Sequence, residues 1–518
     1  MNITHGLRRA LQVNPQGVAI LEGERKWTWA EVGERISRAA GAICQLGISK
    51  GDRVAVLMLN SSRYLELYLA VGWLRAAIVP LNIRWSIAEN RSALEDCGAR
   101  LLIVDDAFAE AGRVLAAAIP SLLLIHADEG EPPRDLAGYE SLLAAADPIP
   151  DTMADAEELA GIFYTGGTTG RSKGVMLSHG NLMFNALQSL AEGTLPRDAI
   201  YLHAAPMFHL ANGGAMYCML LNAGTNAIIK AFTPEAVAEA IEHFRVTHLL
   251  LIPTMIQMFI DHPGIGRRDL SSLQQIIYGA SPISEAVLDR AMLRLPGVRF
   301  LQAYGMTELS PLATVLMPEE HVGLGRAKGR HRSGGRAALG VEIRIVDDND
   351  QPVPPGTVGE IVVRGDNVMM GYWNRSEETA KAVVHGWMHT GDGGRMDEDG
   401  FVYIVDRLKD MIVTGGENVY STEVENAIAQ YPAVLQCAVI GIPDPLWGES
   451  VHAVVAAKPG ATVQAADLIA FCKERIAGYK CPRSVDLRTG PLPMSGAGKV
   501  LKRELRRPFW EHQDRQVT

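Results

Sequence analysis

The chain has 518 residues with 49 Lys+Arg against 59 Asp+Glu, and its formal charge of −10 argues against a nucleic-acid binder. Hydrophobic residues at 47% and charged residues at 21% describe a globular chain of about three structural units and exclude a disordered one. Cys44, Cys97, Cys218, Cys437, Cys472 and Cys481 are too sparse for a disulfide scaffold and contain no C-x-x-C pair, so a reducing, cytoplasmic setting is expected.

Residues 1–12 carry no basic leader followed by an apolar run, so no secretory signal is read there. The most apolar stretches are residues 65–81, broken by Glu66 and Arg75, and residues 199–229, which contain Asn, Gly, Pro and His. Buried core segments rather than bilayer spans are expected from both, hence no integral membrane segment.

In chain order, residues 1–150 alternate an amphipathic helix at 28–46, a buried strand from Arg53 to Leu59 and a helix at 64–76, which predicts an α/β architecture with parallel strands. A second cycle has a short strand from Leu159 to Thr165, a glycine-rich loop and a helix at 181–190. Between Gly340 and Trp373 the pattern changes: Val341-Glu342-Ile343-Arg344-Ile345 alternates strictly and Pro-Val-Pro-Pro-Gly turns follow, as in antiparallel strands. The last 110 or so residues read as a small α+β unit. There Thr422-Glu423-Val424-Glu425 reads as a capping box opening a helix stopped by Tyr431-Pro432. Strands near 433–442 and 450–457 follow, then a helix around 465–476 with Leu468, Phe471, Cys472 and Ile476 on one face.

The strongest local signal is Tyr164-Thr165-Gly166-Gly167-Thr168-Thr169-Gly170-Arg171-Ser172-Lys173-Gly174, directly after a predicted strand. Its glycines let backbone N–H groups approach an anion, its hydroxyls add neutral donors, and Lys173 adds positive charge. It is not a Walker loop, because four residues beyond Gly166 or Gly167 the required Gly-Lys is Arg-Ser or Ser-Lys.

With its companions, this loop resembles the adenylate-forming superfamily, and within it the acyl- and aryl-CoA synthetases. Tyr304-Gly305-Met306-Thr307-Glu308 is similar to the family's nucleotide motif and Thr390-Gly391-Asp392 to its ribose motif. Asp406-Arg407-Leu408-Lys409-Asp410 is similar to its hinge, followed by Gly415-Gly416-Glu417-Asn418, and Leu492-Pro493 through Gly498-Lys499 to its C-terminal lysine motif. The resemblance covers nearly the whole chain. It departs at Gly166, where the family more often has Ser, at Ser172, usually Pro, and at Ala497, commonly Ser or Thr.

The resemblance implies a large N-terminal domain of several subdomains at 1–406, with parallel-type sheets, a β-rich part and the acyl pocket. It also implies a small mobile α+β domain at 407–518 carrying the catalytic Lys499. ATP, Mg²⁺ and coenzyme A would serve the conversion of a carboxylic acid to acyl-AMP and then acyl-CoA. Glu308 would hold Mg²⁺, Thr307 would bond the α-phosphate, Asp392 and Arg407 the ribose, and Lys409 would be the hinge. Gly279, Ala280, Ser281, Gln302, Ala303, Tyr304, Gly305, Gly415 and Gly416 are further nucleotide- or cofactor-binding positions by the same resemblance.

His209, in Pro206-Met207-Phe208-His209-Leu210, is either a satisfied core histidine or a residue at the carboxylate end of the acyl pocket. By resemblance, an amino-acid activator would have aspartate there, and the 19 residues after Lys499 leave no room for a carrier domain. An acid:CoA ligase is therefore expected ahead of a carrier-loading enzyme, with medium- or long-chain fatty acids ahead of aryl or phenylpropanoid acids. Tyr278, being bulky, is expected to shorten or redirect the acyl slot. Assembly as a homodimer is compatible with the sequence.

Overall fold

In the computed structural model, residues 1–165, 172–415, 417–495 and 499–511 are described, Lys409 by its backbone alone. The expected alternation of helix and strand is present in the first half. Thr28 caps the helix Trp29–Gln45: its hydroxyl accepts from the Glu31 N–H while the Glu31 carboxylate accepts from the Thr28 N–H, so two donors at the helix start are met reciprocally. The strand Arg53–Leu57 and the helix Ser62–Trp73 follow, and every residue of that helix is buried. The apolar stretch at 65–81 thus belongs to the core, where Glu66 meets the Arg35 guanidinium at 2.5 Å and accepts from the Tyr139 hydroxyl at 2.9 Å. Among the described residues no helix is long and apolar enough to cross a membrane.

Two large sheets share one continuous hydrophobic core. One has at its heart the parallel strands Ile200–His203, Thr225–Ile228, His248–Leu251, Gln275–Gly279 and Arg299–Gly305. The other has Arg53–Leu57, Ala77–Pro80, Leu101–Val104, Leu123–His126 and Leu159–Thr165, also parallel. Lys173–Ser178 returns antiparallel to Leu159–Thr165, so the glycine-rich segment joins two strands paired through Thr165 and Lys173. The alternating segment after Gly340 forms the strand Val341–Val346, antiparallel to Gly359–Gly365, and the sheet continues through Trp387–Met396 to Val402–Arg407. The α/β class and the β-rich part are as expected.

From Ile412 onward a further sheet contains Ile412–Thr414, Glu417–Val419, Val434–Asp444, Gly448–Ala457 and Ser484–Arg488. It has its own core around Val424, Ile428, Val439, Val455, Leu468 and Cys472. The capping box expected at Thr422 is absent. The helix runs Ser421–Ala429 with Tyr420 at its cap and no side-chain cap bond, so Thr422 lies inside it, and the Ser421 N–H and hydroxyl both donate to the Asp406 carboxylate. The last helix expected before the C-terminal motif ends at Lys473, so Ile476 lies beyond it, and Phe471 packs edge-on to Tyr431 with ring centroids 5.2 Å apart.

Candidate active site

The C-terminal ends of the parallel strands carry the site, as open α/β sheets lead one to expect. Along Gln275–Gly279, side chains alternate between the two faces. The Gln275 amide donates to Thr194 O at 2.9 Å, just beyond the helix His179–Ala191, so Ile277 and Gly279 share the face turned to that helix and to Leu210–Asn222 packed on it. Tyr278 points the other way. Its hydroxyl lies 2.7 Å from His321 Nε2 and 3.1 Å from Gln302 Oε1. The expectation that Tyr278 shortens the acyl slot is therefore corrected: strand alternation turns its ring to the opposite face from Ile277, where it packs on Phe300 and His321.

His209 caps the helix Leu210–Asn222, and its Nδ1 accepts from the Ala211 N–H at 3.3 Å, which leaves the ring proton on Nε2. Burial, and next the Lys499 charge, push its pKa down to about 4, so the imidazole is neutral at physiological pH. Ala211, Gly214 and Ala215 form a half-buried, small-residue strip on that helix, and Phe208, Leu250, Met255 and Ile277 each keep 8% exposure. The floor is backbone. A Cβ on Gly279 would sit 2.0 Å from Ala303 O, and one on Gly305 would sit 1.8 Å from Pro311 O. Ala280 adopts a left-handed φ of 64°, turning the chain off the strand end towards Ser281.

Glu308 lies in the turn Thr307–Leu309, where Thr307 is half-buried. Its carboxylate accepts from the Tyr372 hydroxyl at 2.9 Å. Burial pushes its pKa up, and Tyr372, Arg407 and Lys499 act in the opposite direction. Lys173 sits beside the same tyrosine, 4.9 Å over the Tyr372 ring, with its Nζ 2.5 Å from Glu378. Tyr304 donates to Asp392 Oδ2 at 2.8 Å, while Arg407 meets the other oxygen of Asp392 at 3.1 Å. Gln302 and Ala303 precede Tyr304 on the same strand.

Lys499 arrives from the small unit on a hairpin. Its N–H donates to Ser495 Oγ at 3.0 Å, the Ser495 N–H donates back to Lys499 O at 2.6 Å, and Arg84 of the large unit donates to Ser495 O at 3.1 Å. The lysine charge acts on both Glu308 and His209, and the Arg407 charge acts on Glu308 as well. Gly415 instead engages its own unit: its φ is 62°, its N–H donates to Trp447 O at 2.8 Å, and a Cβ there would lie 2.6 Å from the Trp447 ring. Gly166, Gly167, Thr168, Thr169, Gly170, Gly416, Ala497 and Gly498 lie outside the described residues, as does the Lys409 side chain. Tyr372, Glu378 and Arg84 were not singled out from sequence. Each reaches the site through tertiary contact, with no local pattern to betray it.

Residues 7–373 match the model of the AMP-binding enzyme family and residues 423–499 that of the AMP-binding enzyme C-terminal domain. The chain belongs to this adenylate-forming family, as an acyl/aryl-CoA synthetase. It is 42% identical over 97% of its length to feruloyl-CoA synthases of an Amycolatopsis and a Streptomyces species, covering 98% of each. It is 36% identical to a medium/long-chain-fatty-acid–CoA ligase of Mycobacterium tuberculosis, with 99% of this chain and 91% of that protein covered. The fold superposes on a solved anthranilate CoA ligase, in complex with anthranoyl-AMP, with a TM-score of 0.90 at 25% identity, covering 98% of this chain and 97% of that one.

Because the His209 ring is already neutral, replacing it should not remove a pH limb. His209→Gln is expected to lower the rate of acid-dependent pyrophosphate exchange by about tenfold while leaving its profile between about pH 6 and 8 unchanged in shape. A lost limb in that window would mean that the imidazole titrates there.

Proposed function

We propose that this synthetase activates an aryl-substituted carboxylic acid with ATP to the acyl-AMP and then transfers the acyl group to CoA. The observation that carries the reading is that the Lys499 charge acts on both Glu308 and His209, with the half-buried small residues Ala211, Gly214 and Ala215 on the helix that His209 caps. A carboxylate attacking a triphosphate is one anion approaching another, so rate is gained where fixed positive charge stands at the point of attack. Lys499 supplies that charge next to the acid, and His209, with its proton on Nε2, can donate to the acid's second oxygen. Thr307 bonds the α-phosphate, Asp392 and Arg407 hold the ribose, and Lys173 with the glycine-rich segment holds the outer phosphates.

Glu308 suits Mg²⁺: it is a hard oxygen ligand, buried, whose Oε1 accepts from the Tyr372 hydroxyl. No group of three or more His, Cys, Asp or Glu able to hold a metal exists among the described residues, which fits an ion held mainly by substrate phosphates. The metal would neutralise charge on the phosphate oxygens. In the second step the small unit rotates about Lys409, withdrawing Lys499 so that the thiol reaches the acyl carbonyl.

Two features favour a flat acid over a long flexible one. The slot floor consists of closely approaching backbone at Gly279 and Gly305, and the helix wall has no side chain larger than a methyl group at 211, 214 and 215. The feruloyl-CoA synthases are the more similar of the relatives above, which supports the same choice. Pyrophosphate release measured over hydroxycinnamic, benzoic, medium-chain and long-chain fatty acids tests it. Higher kcat/KM for an aryl acid is expected, and a preference for a saturated chain would overturn it. Gly214→Leu is expected to cut kcat/KM for the preferred aryl acid by about a hundredfold with KM for ATP nearly unchanged, because the added volume fills the slot and not the nucleotide site.

A further inference from the structure

A buried polar bridge joins the end of the large unit to two helices of the small one. Asp406 closes the strand Val402–Arg407, where it pairs with Gly393 of the large unit. Its Oδ2 accepts from both the N–H and the hydroxyl of Ser421, the latter at 2.6 Å, and Ser421 opens the small unit's helix Ser421–Ala429. The Ser421 oxygen in turn accepts from Lys502, which opens the helix Lys502–Trp510, and Lys502 pairs with Glu425 at 2.7 Å. Glu425 also accepts from the Val439 N–H at 2.8 Å. Asp406 is 6% exposed and Ser421 is fully buried.

The bridge brackets the hinge unevenly. Four residues after Asp406, Asp410 meets Arg506 of the same C-terminal helix at 3.3 Å, a tie that lies wholly on the small-unit side of Lys409. The Asp406–Ser421–Lys502 tie crosses the pivot. Rotation about Lys409 therefore carries the Asp410–Arg506 pair along intact and breaks the other. Lys502 is only three residues past Lys499, so the bridge also sets the base of the hairpin that delivers the lysine.

We propose that Asp406, Ser421 and Lys502 form a latch that holds the small unit in the acid-activating orientation, making Asp406 and Ser421 positioning residues for the first half-reaction. This rests on the two-step reading above. Opening the latch costs hydrogen bonds to a carboxylate and an ammonium that burial makes strong, and reclosing it returns Lys499 to Glu308.

The test measures the two half-reactions separately: acid-dependent pyrophosphate–ATP exchange, and thioester formation from supplied acyl-AMP and CoA. Asp406→Ala is expected to slow exchange roughly tenfold to a hundredfold while the thioester step stays within about twofold of the parent or rises. Asp406→Asn, which keeps an acceptor oxygen, should recover most of the loss. Ser421→Ala, which removes the hydroxyl link and keeps the N–H, should show a smaller split in the same direction and serves if Asp406→Ala does not fold. Equal losses in both half-reactions, or none in either, would overturn the latch. Parent enzyme that fails to make thioester from any supplied acyl-AMP would instead overturn the two-step reading.

Discussion

Lys499→Ala is expected to abolish acyl-AMP formation almost completely, by about a hundredfold to a thousandfold in kcat, while thioester formation from supplied acyl-AMP stays within a few-fold of the parent. The lysine sits in the field of both Glu308 and His209, and its removal strips positive charge from the point where two anions meet. Its effect on substrate binding should be small, because other residues, the slot walls and the Asp392–Arg407 pair, hold the body of the acid and the ribose. The KM values for acid and ATP should therefore change less than kcat. Parallel measurement of exchange and thioester formation decides the matter. Equal loss in both would mean that the lysine serves the whole fold and not one step.

Glu308→Gln is expected to separate activity from stability. Acyl-AMP formation should fall about a hundredfold or more, because the amide keeps the shape but loses the charge that a divalent cation requires. At neutral pH the variant should nevertheless unfold at higher temperature, by a gain of about 1–2 kcal/mol. The sign follows from the direction of the pKa shift. Burial raises the carboxyl above its ordinary value of 4.5, so the native state holds this proton more tightly than the unfolded chain does. As pH rises above 4.5, the native state bears a growing penalty that the uncharged amide does not share. The advantage of the amide should thus be present near pH 7 and vanish below about pH 4.5 in thermal melts across that range.

Much of the architecture was legible because local physics and tertiary context agree in those segments. The strand Leu159–Thr165 is read from its apolar run, Val341–Val346 from strict alternation and the helix Trp29–Gln45 from its amphipathic pattern. The capping box at Thr422 misled because the helix already begins at Ser421, tied to the Asp406 carboxylate 15 residues upstream in sequence, and the Glu425 carboxylate turns to Lys502 and the Val439 N–H. Tyr278 misled for a different reason. Its size was visible in the sequence but its face was not, and strand alternation is decided by which neighbours the sheet acquires. In the candidate site, Lys499, Glu308 and Asp392 are expected from motif, whereas Tyr372 and Arg84 come from segments whose own residues carry no signature. Their roles exist only once distant strands are paired.

The backbone contacts beneath the slot limit how this enzyme could acquire a new acid. Since the carbonyls of Ala303 and Pro311 already touch Gly279 and Gly305, neither glycine can accept a side chain without prising strands apart. In the proposed slot, diversification is thereby channelled to the helix positions Ala211, Gly214 and Ala215, which can be exchanged while the nucleotide platform stays as it is. Substrate range and catalytic chemistry are separately evolvable in this scaffold, the first drifting along a helix and the second anchored in the sheet.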